Sequence, residues 1–341
     1  MECPFCKTEL KSVPTPPAEG LIGACGDCLN PFVLGKSATQ MIAMQIPGES
    51  DLRLLYPADS ASSKLLKLFR LQFDALPVLP EVANRVIQQM RDPEFGVSEM
   101  AALISTDAAI SGKVLRVANS AVYGGLSRIG DLRGACSRLG LRTVANIVQA
   151  IVNEQMYVSP NPSMLHRMQQ YWKHSLATAH YCSEIARTLS EPNSEVTFVA
   201  GLLHGIGRTA VLRAIAKDNG NAFGGSALPD ELLDEIVDRF YPLAGLHLLQ
   251  SWNLPSELNV STYFHRQPDL VSHDDAARLT HIVCVASELA DLSGYACLPT
   301  EKHGVMNLPS VSALGLSDIK IAIIRTDVEE RLEEMINSMS S

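Results

Sequence analysis

Four cysteines near the N-terminus lie in two closely spaced pairs. Cys3 and Cys6 stand in CPFC, and Cys25 and Cys28 stand in CGDC, which gives the spacing C-x2-C-x18-C-x2-C. Two intervening residues let a tight turn aim both sulfurs at one ion, and two such turns complete a tetrahedron. The sequence therefore predicts one structural Zn²⁺ in a small β ribbon that needs its metal to fold. A redox dithiol or a pair of disulfides is the alternative, although neither CxxC opens a helix within a βαβ pattern.

A second chemical signal lies in GLLHGIGRTAVL, Gly201 to Leu212, where a histidine falls between two apolar helical stretches. Such a histidine is typical of a metal or phosphate site, and an aspartate is expected after it, but His204 is followed by Gly205. The alternative is a buried histidine hydrogen-bonded at a helix junction, with Gly205 and Gly207 supplying the turn. Arg208 either binds an anion at the helix start or pairs with an acid.

The overall composition is that of a globular protein of roughly two domains, with 46% hydrophobic residues and a formal net charge of -9. The acidic balance argues against general binding to nucleic acid or anionic lipid. We find no signal-peptide pattern and expect no stretch of about 20 apolar residues, so we expect a cytoplasmic protein without membrane insertion. Single cysteines in apolar contexts, interpreted as inert core thiols, fit a reducing compartment: Cys136, Cys182, Cys284 and Cys297.

One segment runs against the acidic balance. The segment from residue 113 to residue 142 contains six basic residues and one acidic residue, Asp131, so its formal net charge is 6 − 1 = +5. Such a cluster could contact nucleotide phosphates or an acidic partner, with Lys113 and Arg116 as candidate anion-binding residues. We favour the alternative in which these side chains lie on separate helices and meet local acids. The basic residues are Lys113, Arg116, Arg128, Arg133, Arg138 and Arg142.

The elements that must position these residues are helical. Apolar residues recur at helical spacing in LPEVANRVIQQM, DELLDEIVDRF and LSDIKIAIIRTDVEERLEEMI, and Ser317 is the expected N-cap of the last helix. Strand-like alternation is nearly absent, so we predict an all-α protein whose only β structure is the ribbon. The predicted organisation is a zinc ribbon over 1–35, a linker over 36–62, a helical domain over 63–270 and a C-terminal helical extension over 271–341 that packs on it.

The helical part resembles a known family. LPVLPEVANRVIQQMRDPEFGVSEMAALISTDAAISGKVLRVANSAVYG and IGDLRGACSRLGLRTVANIV are similar to the opening of the HDOD domain, a divergent relative of the HD and HD-GYP phosphohydrolases. YWKHSLATAHYCSEIA, VAGLLHGIGRTAVL and GLHLLQSWNLPSEL resemble its continuation, so the likeness spans roughly Leu76 to Pro268. The resemblance implies a helical HD-like bundle in a bacterial signalling protein that is usually non-catalytic and joined to regulatory modules.

The resemblance also locates the remnant of an HD metal centre. An active centre holds its ion with a histidine, an adjacent His-Asp pair and a later aspartate, because carboxylates neutralise the ion and orient a bound water. His174 in YWKHSL matches the first position and His204 matches the histidine of the pair. Gly205 stands in place of the first aspartate and Ser287 in place of the last. We therefore predict no catalytic residue.

Other side chains could bind the metal in place of the two missing carboxylates. Asp291 lies one helical turn after Ser287, about 6 Å away along the axis, and could reach a displaced metal. Glu184 and His180 are further candidates, although His180 points away from His174. Where the HD-GYP branch has a further histidine, this sequence offers Tyr241.

Two functions follow for testing. The first is a non-enzymatic regulatory protein that binds a signalling partner or a nucleotide second messenger through the degenerate domain, with the ribbon as a second contact or a homodimer interface. The second is a metal-dependent phosphohydrolase with substituted ligands. A weaker third possibility is a nucleic-acid-binding regulator.

Overall fold

The computed structural model describes residues 81–340 and three short strands before residue 44. Within 81–340, positions 91, 93, 125–126, 160, 192–193, 219–229, 253, 272–273 and 298–303 lie outside the description. The strands β1 (Ile22–Ala24), β2 (Pro31–Leu34) and β3 (Met41–Ala43) form one antiparallel sheet in that order. Val33 pairs with Ile22 of β1 and with Ile42 of β3. The four zinc-candidate cysteines lie outside the described residues.

The rest of the described chain is helical. The first five helices are α1 (Glu81–Gln89), α2 (Val97–Ile104), α3 (Ala108–Ala118), α4 (Leu132–Leu139) and α5 (Leu141–Gln155). The next five are α6 (Pro162–Leu189), α7 (Ser194–Leu203), α8 (Gly207–Asp218), α9 (Asp230–Ser251) and α10 (Ser256–Phe264). The last three are α11 (Asp274–Ala290), α12 (Pro309–Ala313) and α13 (Asp318–Ser340). This arrangement confirms the predicted helical class for the residues that the structure describes.

The 28-residue helix α6 organises the body. It packs against α7, α11 and α13, and residues on every side of its middle section are buried. A helix that is buried on every side lies within the core, because each of its faces has a covering neighbour. Two of the helices that pack against α6, namely α11 and α13, therefore come from the chain after residue 270. A side chain in the middle of α6 is consequently enclosed by several elements.

The apolar periodicities define buried faces as expected. In α13, the five residues of the predicted stripe are all buried, and Ser317 Oγ accepts a hydrogen bond from the Lys320 backbone N–H at 3.4 Å. Ser317 is therefore the N-cap that the sequence predicted. The stripe residues are Ile321, Ile324, Val328, Leu332 and Met335.

Two glycines set how closely helices cross near the site. A Cβ on Gly201 would lie 2.7 Å from Ala179 Cα, and a Cβ on Gly207 would overlap the Tyr241 carbonyl oxygen and the Gly245 nitrogen. Neither Gly205 nor Gly207 has a positive φ among the described residues. Gly205 lies within the turn at residues 204–206, and Gly207 is the first residue of α8. Gly207 instead allows α8 and α9 to approach closely.

The segment Val196–Ala216 is long and apolar enough to pass for a membrane span, which corrects the expectation that no such stretch exists. The chain turns at residues 204–206 between α7 and α8 within this segment. In its most apolar window, 94% of the residues are buried inside the body. The segment has the burial expected of core helices.

Candidate functional site

The two predicted histidines meet in the core. His174 lies in the middle of α6, and His204 directly follows α7, where residues 204–206 turn into α8. Their Nε2 atoms are 3.1 Å apart, and both side chains are buried. Residues separated by 30 positions are thus brought together by the packing of α6 on α7. The resemblance placed both residues in one site, and the geometry agrees.

The outer nitrogens of the two rings both face carbonyl groups. The Nδ1 atom of His174 lies 3.1 Å from the carbonyl oxygen of Tyr295, and the Nδ1 atom of His204 lies 2.6 Å from that of Gly201. Because a carbonyl oxygen only accepts, both Nδ1 atoms must carry hydrogen. Two neutral rings would then present bare Nε2 lone pairs to each other. One additional proton between the Nε2 atoms removes this conflict, so the geometry predicts a histidine–imidazolium pair.

The surrounding charges assign that proton to His174. Burial by itself would lower the pKa of His174, but the neighbouring Cys297 and Asp291 outweigh it and raise the pKa to about 9. Burial, His265 and His174 lower the pKa of His204 well below its usual value. His174 is therefore the cation at neutral pH, and His204 is the neutral partner.

We predict that the His174–His204 pair carries three ring protons at pH 7.5. Nitrogen-15 NMR of the imidazole side chains measures this directly, because protonated and bare ring nitrogens resonate far apart. His174 should show two protonated nitrogens, and His204 should show one. The His204→Gln variant assigns the signals, because His174 is then the only histidine of the pair that contributes. Two singly protonated rings in the wild type would contradict the arrangement.

Ser287 lies at the same place. Its Oγ is 3.3 Å from His174 Nε2, so the residue at the final acidic position of the HD pattern does face the histidines. Asp291 begins a single π-helical turn, Asp291–Tyr295, and approaches His174 from the other ring nitrogen. Its Oδ1 is 3.1 Å from His174 Nδ1 but accepts no hydrogen bond there in the described structure. Asp291 therefore balances the charge of the His174 ring.

These donors do not fit a catalytic divalent cation. Two imidazole nitrogens and one hydroxyl surround the point between the rings, and a hard ion requires carboxylate oxygens. Within the residues that the structure describes, no group of three or more His, Cys, Asp or Glu side chains is placed to hold a metal. The helical site therefore lacks the ligand set of an HD metal centre.

A positive side chain occupies the place of the missing aspartate. A Cβ on Gly205 would lie 2.5 Å from Arg208 Nη1 and 3.1 Å from Ser175 Oγ. Arg208 is buried, and its guanidinium carbon lies 3.8 Å from the centre of the Tyr241 ring, an orientation that favours a cation–π contact. The space that an aspartate side chain at position 205 would enter is thus lined by the positively charged Arg208 guanidinium.

His265 was missed by the sequence analysis. Its ring lies 4.9 Å from the His204 ring, and its Nε2 accepts a hydrogen bond from the Tyr241 hydroxyl at 2.7 Å. Burial, Arg266 and Arg208 lower the pKa of His265 to about 3, so it is neutral. Tyr241, singled out as the replacement for a histidine of the HD-GYP branch, therefore contacts another histidine. The available signal was a histidine directly after the two aromatic residues of STYFHRQP.

Cys297 differs from the other single cysteines. Burial raises the pKa of Cys136, Cys182 and Cys284, which fits the interpretation of inert core thiols. Burial also acts to raise the pKa of Cys297, but Arg208 and His174 outweigh it and lower the value. Cys297 therefore has a different electrostatic environment from the other three cysteines, because the charges beside it come from residues remote in the sequence.

The remaining candidates lie elsewhere. Glu184 pairs with Arg187, and His180 packs edge-on against Phe198, with a ring-centre distance of 5.4 Å. Lys113 pairs with Glu154 and donates to the Met339 carbonyl oxygen at 2.9 Å. Lys113 and the exposed Arg116 lie on α3, which packs mainly on α4, α5 and α13. Of the three predicted anion-binding residues, only Arg208 therefore lies beside the histidine pair.

The fold and the site define a helical HD-type domain in which basic and neutral side chains replace the acidic metal ligands. The sequence model of the HDOD domain matches residues 76–268, more than half of the chain. The chain belongs to the HDOD domain family.

Similar proteins come from several bacteria. A Treponema pallidum protein of uncharacterised function is 25% identical over 213 residues, which is 61% of this chain and 41% of that protein. A crystal structure from Shewanella amazonensis, described as a candidate metal-dependent phosphohydrolase, has 23% identity and a TM-score of 0.62 over 83% of this chain and all of its own. An HDOD domain protein of unknown function from Geobacter sulfurreducens has 20% identity and a TM-score of 0.59 over 83% and 99% of the two chains. At these identities, the two solved structures establish the fold alone.

Proposed function

We propose that the protein is a non-enzymatic signal-transduction regulator that acts by binding through its degenerate HD-type domain. The observation that carries this proposal is the Arg208 guanidinium, which is packed against the position of the missing aspartate side chain. A metal-activated water requires a concentrated negative charge from its ligands. The donors around His174 and His204 supply none on the Nε2 side, and the adjacent cation opposes a divalent ion.

The N-terminal cysteines complete the proposal. A structural zinc held by Cys3, Cys6, Cys25 and Cys28 would fold a separate module that provides a second contact for a protein partner. The closed set of four thiolates is the support for this assignment, since it leaves no position for a reacting water. The metal of this protein would then serve structure, and the helical pocket would serve binding.

The second candidate is a metal-dependent phosphohydrolase. Two observations favour it: the 3.1 Å separation of the His174 and His204 Nε2 atoms, and the description of the Shewanella amazonensis structure. The missing carboxylates weigh against it, because changes in the groups supporting metal ligands alone typically cost 10- to 100-fold in affinity or activity. Loss of the ligands themselves should cost more.

Metal counting and turnover separate the two functions. We expect one zinc per chain, lost on Cys25→Ser and retained on His174→Ala, and no hydrolysis of phosphomonoesters or phosphodiesters with Mn²⁺, Mg²⁺ or Zn²⁺. Elemental analysis of the purified full chain and release of phosphate or nitrophenol provide the readouts. Hydrolysis that disappears on His204→Ala, or a second ion that disappears on His174→Ala, would overturn the regulatory proposal.

A further inference from the structure

Arg208 is a buried cation with an unmet hydrogen-bonding demand. Only 7% of its surface is exposed, and its Nη1 has no hydrogen-bond partner in the part of the chain that the structure describes. None of the ion pairs recorded among the described residues includes Arg208. Buried guanidinium groups normally meet a carboxylate or a phosphate, because an unpaired charge in the interior is costly. An anion would supply both the missing acceptor and the missing charge.

No carboxylate among the described side chains forms an ion pair with Arg208. Asp238, whose charge also acts on Arg208, is already paired with Arg266 at 2.8 Å. Cys297 is the other acidic group nearby, and Arg208 and His174 outweigh the effect of burial and lower the pKa of its thiol. The charge of His174, on the far side of the pair, is balanced by Asp291, whose Oδ1 lies 3.1 Å from His174 Nδ1. The interior between α6, α8 and α9 thus holds a buried guanidinium that forms no ion pair with a carboxylate among the described residues, and the anionic group of a ligand could balance its charge.

A second polar group beside Arg208 also has no partner. The Tyr171 side chain is buried, its ring centre lies 5.6 Å from the Arg208 guanidinium carbon, and its hydroxyl makes no hydrogen bond within the described residues. Arg208 further lies in the first turn of α8, where the helix dipole favours negative charge. A guanidinium, a hydroxyl and a helix start are the groups that bind oxyanions in proteins.

We propose that Arg208 and Tyr171 bind the oxyanion head group, phosphoryl or carboxyl, of a small ligand at the remnant HD site. Arg208 donates from Nη1 to one ligand oxygen, and the Tyr171 hydroxyl donates to another. Gly205 keeps the edge of the guanidinium free, because an aspartate there would satisfy Arg208 internally. This inference rests on the proposed regulatory function, in which the pocket binds a ligand without transforming it.

Titration of the full chain with inorganic phosphate, AMP, GMP and acetate tests the site, with calorimetry and thermal unfolding as readouts. We expect saturable binding and a concentration-dependent rise in Tm for the probe of the right class. Arg208→Gln should weaken that binding by about 10- to 100-fold, and Tyr171→Phe, which keeps the ring, by about 3- to 10-fold. The charge-matched control is Arg187→Gln, on the exposed end of α6, which should bind as the wild type does.

A matched pair at Gly205 keeps the test decisive if Arg208→Gln fails to fold. Gly205→Asp and Gly205→Asn add side chains of the same shape, but only the aspartate brings a charge to Arg208. Gly205→Asp should abolish anion binding, and Gly205→Asn should retain more of it. Absence of binding for all four probes, or equal binding by Arg208→Gln and Arg187→Gln, would overturn the oxyanion site. Hydrolysis of AMP or GMP by the wild type would instead overturn the proposed function.

Discussion

Replacement of Gly207 by alanine is expected to destabilise the helical body by about 3 kcal/mol, near the upper end for an inserted methyl group. The added Cβ would overlap backbone atoms of Tyr241 and Gly245, which cannot rotate away as a side chain would. Relief therefore requires α8 and α9 to separate. Urea unfolding followed by far-UV circular dichroism measures the change in the free energy of unfolding.

The matched control is Gly112→Ala on α3. A Cβ on Gly112 meets no atom within 4 Å, and the residue is exposed in the middle of a helix. Alanine there should stabilise the protein by about 0.5–1 kcal/mol, because it removes the cost of glycine in a helix. The two substitutions are chemically identical and should differ in sign. A Gly207→Ala variant as stable as the wild type would show that the α8–α9 crossing is looser than described.

The Gly207 substitution should also reach the site. Arg208 follows Gly207 directly, and its guanidinium stacks on Tyr241 of α9. Separation of the two helices would move the guanidinium away from the Tyr241 ring. It would also disturb the hydrogen bond between the Tyr241 hydroxyl and His265. Gly207→Ala protein that remains folded should therefore bind oxyanions more weakly than the Gly112→Ala protein.

Acid should unfold the protein through its buried neutral histidines. Burial lowers the pKa of His265 to about 3 and that of His180 to about 4, against a usual value of 6.5. Below pH 6.5 these histidines bind protons in the unfolded chain but stay neutral in the folded protein. The free energy of unfolding is therefore at its full value above pH 6.5 and falls as the pH approaches the pKa values of the folded state. Each histidine should cost about 1.4 kcal/mol per pH unit across that window, or about 2.7 kcal/mol by pH 4.5.

The pH slope of stability in variants isolates this effect. His265→Gln keeps an acceptor for the Tyr241 hydroxyl and removes the titration, so the slope between pH 6.5 and 4.5 should fall by the contribution of one proton. Urea unfolding at half-unit steps of pH provides the measurement. An unchanged slope in His265→Gln would show that His265 takes up its proton within the folded protein.

Residues close together in the sequence were enough to predict much of the fold. The helical class follows from residues spaced three and four apart, as in the α13 stripe from Ile321 to Met335, because one helix face must be covered whatever covers it. The cap at Ser317 follows in the same way, since its partner is three residues away. The resemblance then paired His174 with His204, which their own neighbours in sequence could not do.

The chemistry of the site was decided by contacts between remote residues. The sequence showed that Gly205 lacks the expected acid, but only packing of α8 on α9 placed the Arg208 guanidinium in that space. Cys297 lies in an apolar context like the other single cysteines, and its lowered pKa comes from Arg208 and His174 in the fold. Charge and proton positions depend on distances through the interior, and a linear pattern does not contain those distances. The sequence by itself thus determined the helices, the family and the loss of the acids, whereas the tertiary structure decided which charge replaced them.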